Sequence, residues 1–222
     1  MVRWAHPDLG QLTPNLFLDI IESDNLARDF LEYSIKAIAA DAKTLVLPEG
    51  ARIGINVSPN LLVSRHAATW ILDIAKKAEL PAQKVTIEIT ERLNIPKSQN
   101  LALNVSQLRL AGFSVALDDF GTGNSSLVRL YRMPFDVMKI DQLFVRGTIR
   151  NEDALNICRI LAQCAKLLKR KSIAEGIETE EILQKAKEAG IDIGQGYLWS
   201  KPVPLSAFNN WVSNRKQDVW GI

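Results

Sequence analysis

Residues 114–123 read Ser114-Val115-Ala116-Leu117-Asp118-Asp119-Phe120-Gly121-Thr122-Gly123. An apolar run of strand length stops on two adjacent carboxylates and passes into a loop with two glycines. The same kind of ending recurs along the chain. The run 52–57 carries Asn56, 84–90 carries Glu88, and 136–140 carries Lys139, with Asp141 just beyond. The run 171–175 closes on Glu175, with Glu178 three residues on, and 192–198 contains Gln195. Helical patterns lie between these runs, near 65–79, 98–111, 152–169 and 179–189, and Gly190 follows the last as a C′ residue. Regular alternation of strand and helix predicts a parallel sheet with helical crossovers.

Both an open doubly wound sheet and a closed barrel satisfy that alternation. The open sheet usually carries a glycine-rich phosphate loop after its first strand, and neither G-x-G-x-x-G nor a Walker motif is present. Polar groups at the carboxyl ends of successive strands are how barrel enzymes assemble their sites, so a TIM-type (β/α) barrel is expected. Six strands and a possible stub at Val2–Trp4 fall short of eight, and 222 residues is below the roughly 250 usual for the fold.

Composition narrows the chemistry. A net charge of +2 offers no basic excess for DNA, RNA or a membrane surface. No apolar run reaches the roughly 18–20 residues of a membrane span, and no signal peptide opens the chain. Cys158 and Cys164 lie six apart on one helical pattern, on different faces, which suits a reducing cytoplasm. With only His6 and His66, a zinc site built on histidines is close to excluded. Oxygen ligands remain, and they point to magnesium or manganese.

Taken singly, each acid at a strand end is explained as a helix cap. Together they would crowd like charges into one mouth, which is costly unless cations neutralise them. Asp118 and Asp119 offer a carboxylate to each of two ions, and two ions roughly 3.5–4 Å apart are the usual device for in-line attack on a phosphodiester. Lys139, inside an apolar strand, needs a charge partner that the acidic mouth supplies. Glu88 is placed to face such ions, and Glu91 either to point into the adjoining loop or to start the next helix. One of Glu175 and Glu178 orients or deprotonates water. Residues alone also admit an enolase-like barrel with Lys139 as base, a reading that the adjacent aspartates fit poorly.

The motifs Asn56-Val-Ser-Pro59, Glu88-Ile-Thr-Glu91, Asp118-Asp-Phe-Gly-Thr-Gly123, Lys139-Ile-Asp141, Ala174-Glu-Gly-Ile-Glu178 and Gly194-Gln-Gly-Tyr-Leu-Trp-Ser-Lys-Pro202, in this order, resemble the EAL domain. The resemblance implies a modified TIM barrel over residues 1–212, and residues 213–222, polar apart from Val219, Trp220 and Ile222, read as a tail. It implies hydrolysis of cyclic di-GMP to linear pGpG by two Mg²⁺ or Mn²⁺ ions, in the cytoplasm, by a homodimer with an upstream sensory or regulatory domain. Carried over by position, Asn56, Glu88, Asp118, Asp119 and Glu175 are metal ligands, and Glu175 is also a candidate general base. Lys139 holds or polarises the attacking water, Arg3, Glu178 and Gln195 position substrate, and Glu91 anchors the loop after Asp119. The family's Glu-Ala-Leu-x-Arg-Trp run aligns with Met1-Val-Arg3-Trp4, so its glutamate falls before Met1. On that alignment the barrel lacks its first strand and most of its second, and weakened metal affinity and marginal stability are expected. The competing expectation is a non-catalytic EAL-like module that binds cyclic di-GMP or a protein partner.

Overall fold

The computed structural model describes residues 2–23, 26–90, 99–121, 130 and 132–214. In chain order the elements are β1 (Trp4–His6), β2 (Gly10–Leu12), α1 (Leu18–Ser23), α2 (Ala27–Ala42), β3 (Ile53–Asn56), α3 (Pro59–Leu62), α4 (Ala67–Lys77) and β4 (Val85–Thr90). They continue with α5 (Gln99–Leu110), β5 (Ser114–Phe120), β6 (Val137–Ile140), α6 (Gln142–Gly147), α7 (Glu152–Leu167), β7 (Lys171–Ala174), α8 (Glu180–Glu188), β8 (Ile193–Gly194) and α9 (Leu205–Asn214). Strands β3 to β8 form one sheet in sequence order, every neighbouring pair parallel. The result is a curled half-barrel with its carboxyl-terminal strand ends on one rim, the partial TIM barrel that the strand endings predict.

Alternation in β4 explains why the sheet has two unlike faces. Val85, Ile87 and Ile89 are buried, while Thr86, Glu88 and Thr90 are half-buried on the other side. The outer face packs against helices. On α4 the buried set is Ala67, Ala68, Ile71, Ile74 and Ala75, a stripe at helical spacing. A second cluster joins Ile140 and Ala174 to Leu155, Cys158 and Ala162 of α7 and Ile182, Leu183 and Ala186 of α8. Helix α8 is capped by Thr179, whose hydroxyl accepts from Ile182 N–H at 3.3 Å, and Gly190 beyond its end adopts φ +80°.

Two expectations are corrected, and one helix lies outside them. The stub at Val2–Trp4 is not a barrel strand: Trp4–His6 pairs antiparallel with Gly10–Leu12 in a separate hairpin. The strand at 192–198 is only Ile193–Gly194, because Gly196 packs so closely on the Ile177 backbone that a Cβ would overlap it, and the chain turns there. Helix α2, sixteen residues long, has no counterpart among the helical patterns read from the sequence, although Leu31, Ile35 and Ala39 are buried at i, i+4 spacing. Among the described residues no helix is long and apolar enough to cross a membrane.

Candidate active site

The rim of the sheet brings five of the expected residues together. Lys139 in β6 is 3% exposed, and its Nζ lies 2.7 Å from Asp118 Oδ1, 2.8 Å from Glu175 Oε1 and 3.1 Å from Glu88 Oε2. The three carboxylates come from β5, from the residue following β7, and from β4. Glu175 is fixed there by its own N–H, which donates to Ile140 O at 3.1 Å.

Adjacent residues in a regular strand point to opposite faces, so Asp118 and Asp119 should part company. They do not, because β5 shifts register against β6 between Leu117 and Phe120, and Asp119 takes a left-handed φ of +54°. One oxygen each from Asp118, Asp119 and Glu175 then gathers within 4.8 Å of the others. Gly121 follows at φ +104°, where a Cβ would lie 2.7 Å from the Phe144 ring of α6.

Electrostatics at this rim are unbalanced. Among the described residues one ammonium is paired with three carboxylates, and an Asp119 oxygen lies within 4.8 Å of oxygens of two of them. Burial pushes the Glu175 carboxyl up to about 7, with Asp118 and Glu88 adding to the effect and Lys139 opposing it. Burial also raises Glu88, again against the pull of Lys139. For Lys139 burial works toward neutrality, but Glu88, Glu175 and Asp118 outweigh it and hold the amine firmly charged. Oxygen-only donors with surplus negative charge fit a hard divalent cation, and Asp118, Asp119 and Glu175 are the group that would hold one.

The remaining candidates stand apart. Asn56 is the register partner of Glu88 across β3 and β4, next to the cluster and exposed. Glu178 is paired with Arg146 of α6 at 2.6 Å. Arg146 went unrecognised in the sequence, where its only signal is a position seven residues after Lys139. Gln195 is exposed, and its backbone pairs with Ala174 O at 2.8 Å and Ile177 N–H at 3.1 Å. Arg3 donates to the Val2 carbonyl at 2.8 Å, within its own segment. Asp141 caps α6 by accepting from Leu143 N–H at 2.7 Å, the role expected of a lone acid after a strand. Glu91 lies outside the described residues. Gly54 of β3, packed against the Glu88 carboxylate, also went unmarked, and a glycine inside a strand is its signal.

Comparison with known proteins bears on this geometry. A family model described as "EAL domain" matches residues 1–202. "Probable cyclic di-GMP phosphodiesterase PdeN" of Escherichia coli K12 is 34% identical over 99% of this chain and 43% of its own length. The chain spans about half the length of the curated relatives it matches. Among solved structures, "Structure of EAL Enzyme Bd1971 - cAMP and cyclic-di-GMP bound form" superposes with a TM-score of 0.87 at 30% identity, covering 95% of this chain and 58% of that one. "Klebsiella pneumoniae BlrP1 pH 6 manganese/cy-diGMP complex" gives a TM-score of 0.75 at 31% identity, covering 86% and 48%. With strand order, rim acids and family match in agreement, the chain belongs to the EAL domain family.

Proposed function

We propose that the chain hydrolyses cyclic di-GMP to linear pGpG with two Mg²⁺ or Mn²⁺ ions. The observation that carries this reading is the set of Asp118, Asp119 and Glu175 oxygens within 4.8 Å, beside a buried Lys139, at the catalytic rim of the fold. Support comes from the Escherichia coli relative, named a probable cyclic di-GMP phosphodiesterase, and from the Klebsiella pneumoniae neighbour, solved as a manganese and cyclic di-GMP complex.

Asp118, Asp119 and Glu175, joined by Glu88 and Asn56, would hold the ions, which when bound would supply Lewis-acid polarisation of the phosphoryl oxygen and activation of water. Lys139 donates to the attacking water and fixes its approach to phosphorus, in line with the leaving 3′ oxygen. It remains protonated between three carboxylates, so it does not serve as the proton-abstracting base that an enolase-like barrel requires. Glu175 would accept the proton of water as its oxygen bonds to phosphorus, and the 3′ oxygen, as its bond to phosphorus breaks, would take a proton from solvent. Arg3, Glu178 and Gln195 position the nucleotide, with Glu178 released from Arg146 to do so, and Glu91 shapes the loop after Asp119. The family resemblance extends this reading to a cytoplasmic homodimer governed by an upstream sensory domain.

Incubation of the purified chain with cyclic di-GMP and Mn²⁺, followed by nucleotide chromatography, tests the reaction. Formation of pGpG is expected. Unchanged cyclic di-GMP from folded protein overturns it, and retention of intact nucleotide on the protein identifies the non-catalytic binding module instead.

A further inference from the structure

Strand β3 is Ile53-Gly54-Ile55-Asn56, and Gly54 is not among the glycines with positive φ. Its backbone is therefore open to any residue, and a glycine inside a strand weakens it without some compensating reason. The space around Gly54 supplies that reason. A Cβ built there would overlap Glu88 Oε1 and lie 2.8 Å from Cδ and 3.4 Å from Oε2. All three of the nearest atoms belong to Glu88, so the glycine is matched to this one carboxylate. Glu88 thus lies back against β3, with Oε2 held by Lys139 Nζ at 3.1 Å, and stands outside the group formed by Asp118, Asp119 and Glu175.

We propose that Gly54 is a positioning residue whose missing side chain gives Glu88 a resting place away from the cation group. This inference rests on the metal reading above. In the resting place Glu88 neutralises part of the Lys139 charge, and to serve as a ligand it must leave the cradle over Gly54. A side chain at position 54 removes the resting arrangement and leaves the ligand arrangement favoured, which raises apparent affinity by the fraction of molecules freed. The steric conflict involves only the far end of a flexible side chain, so the fold should accept the added methyl group.

Mn²⁺ titrations followed by calorimetry on the wild-type chain, Gly54→Ala, Glu88→Ala and the double variant provide the test. Gly54→Ala is expected to bind Mn²⁺ about three- to tenfold more tightly, as expected when a competing resting state about two to nine times as populated as the ligand arrangement is removed. That gain should vanish in the Glu88→Ala background, since nothing then occupies the cradle. Gly54→Ser presents the same Cβ and replaces Gly54→Ala if the latter misfolds. Unchanged or weaker binding by Gly54→Ala, or the same gain without Glu88, overturns this inference alone. No Mn²⁺ binding by any of the four proteins overturns the metal reading together with it.

Discussion

The two ends of the parallel sheet treat their acids in opposite ways. At the amino-terminal end, Asp136 accepts from Arg109 Nε at 3.0 Å and Nη2 at 2.5 Å, and from Val115 N–H at 3.0 Å. Asp192 accepts from Ser172 N–H at 2.8 Å and Oγ at 2.9 Å, with Lys171 alongside at 3.3 Å. Burial works to raise both acids, but their hydrogen bonds and basic neighbours outweigh it and hold each carboxyl below its usual range. At the carboxyl-terminal rim, Glu88 and Glu175 share a single lysine with Asp118, and both are held above theirs. Satisfied acids staple β5 to β6 and β7 to β8. At the rim, three carboxylates share the one lysine, and among the described residues this leaves an excess of negative charge that a divalent cation would offset.

The largest expected effect separates the two ends by activity. Asp118→Asn should abolish Mn²⁺-dependent turnover of cyclic di-GMP while circular dichroism shows an unchanged fold. Full turnover in this variant would break the assignment of the rim as the catalytic end. Next in size is the converse at the other end. Asp136→Ala leaves Arg109 and Val115 N–H without their partner and should cost about 1–3 kcal/mol in urea unfolding, with turnover close to wild type. A loss of turnover without a loss of stability would erase the distinction between the ends.

Glu175→Gln removes charge from a site where burial disfavours it. At pH 8 it should stabilise the metal-free fold by about 1–3 kcal/mol and, in a separate assay with Mn²⁺, eliminate turnover. Destabilisation instead would mean that Lys139 fully compensates Glu175. The smallest effect is a pH dependence with a window for each end. Glu175 rises from 4.5 to about 7, so the folded state holds its proton more tightly than the unfolded chain does. Its stabilising contribution is complete below about 4.5 and is lost as pH climbs through 7. Asp136 and Asp192 are lowered from 3.8, so their contributions are present above that value and are lost as pH falls below it. The melting temperature of metal-free protein should therefore peak near pH 5 and decline toward pH 8. A steady rise from pH 5 to 8 would contradict the sign assigned to the rim.

Much of this contrast is legible in the sequence, for physical reasons that also set its limits. Strands announce themselves because their apolar runs end in polar residues where the sheet meets solvent, and Lys139 declares itself as a charge in an apolar run. The joint orientation of Asp118 and Asp119 is not visible there, since it depends on a register shift and a left-handed backbone that no residue type encodes. The pairing of Glu178 with Arg146 spans 32 positions and is a product of tertiary packing. The staple acids read only as parts of strands, because Asp136 and Asp192 resemble any acid at a strand start until Arg109 and Ser172 are brought to them. Helix α2 escapes the sequence pattern although its buried spacing is regular.

Thermal unfolding with and without Mn²⁺ at pH 8, run side by side on the wild-type chain, Asp118→Asn and Asp136→Ala, tests most directly whether the rim acids await a cation. A clear rise in melting temperature is expected for the wild type and for Asp136→Ala, and none for Asp118→Asn. No rise in the wild type, or an equal rise in Asp118→Asn, would contradict it.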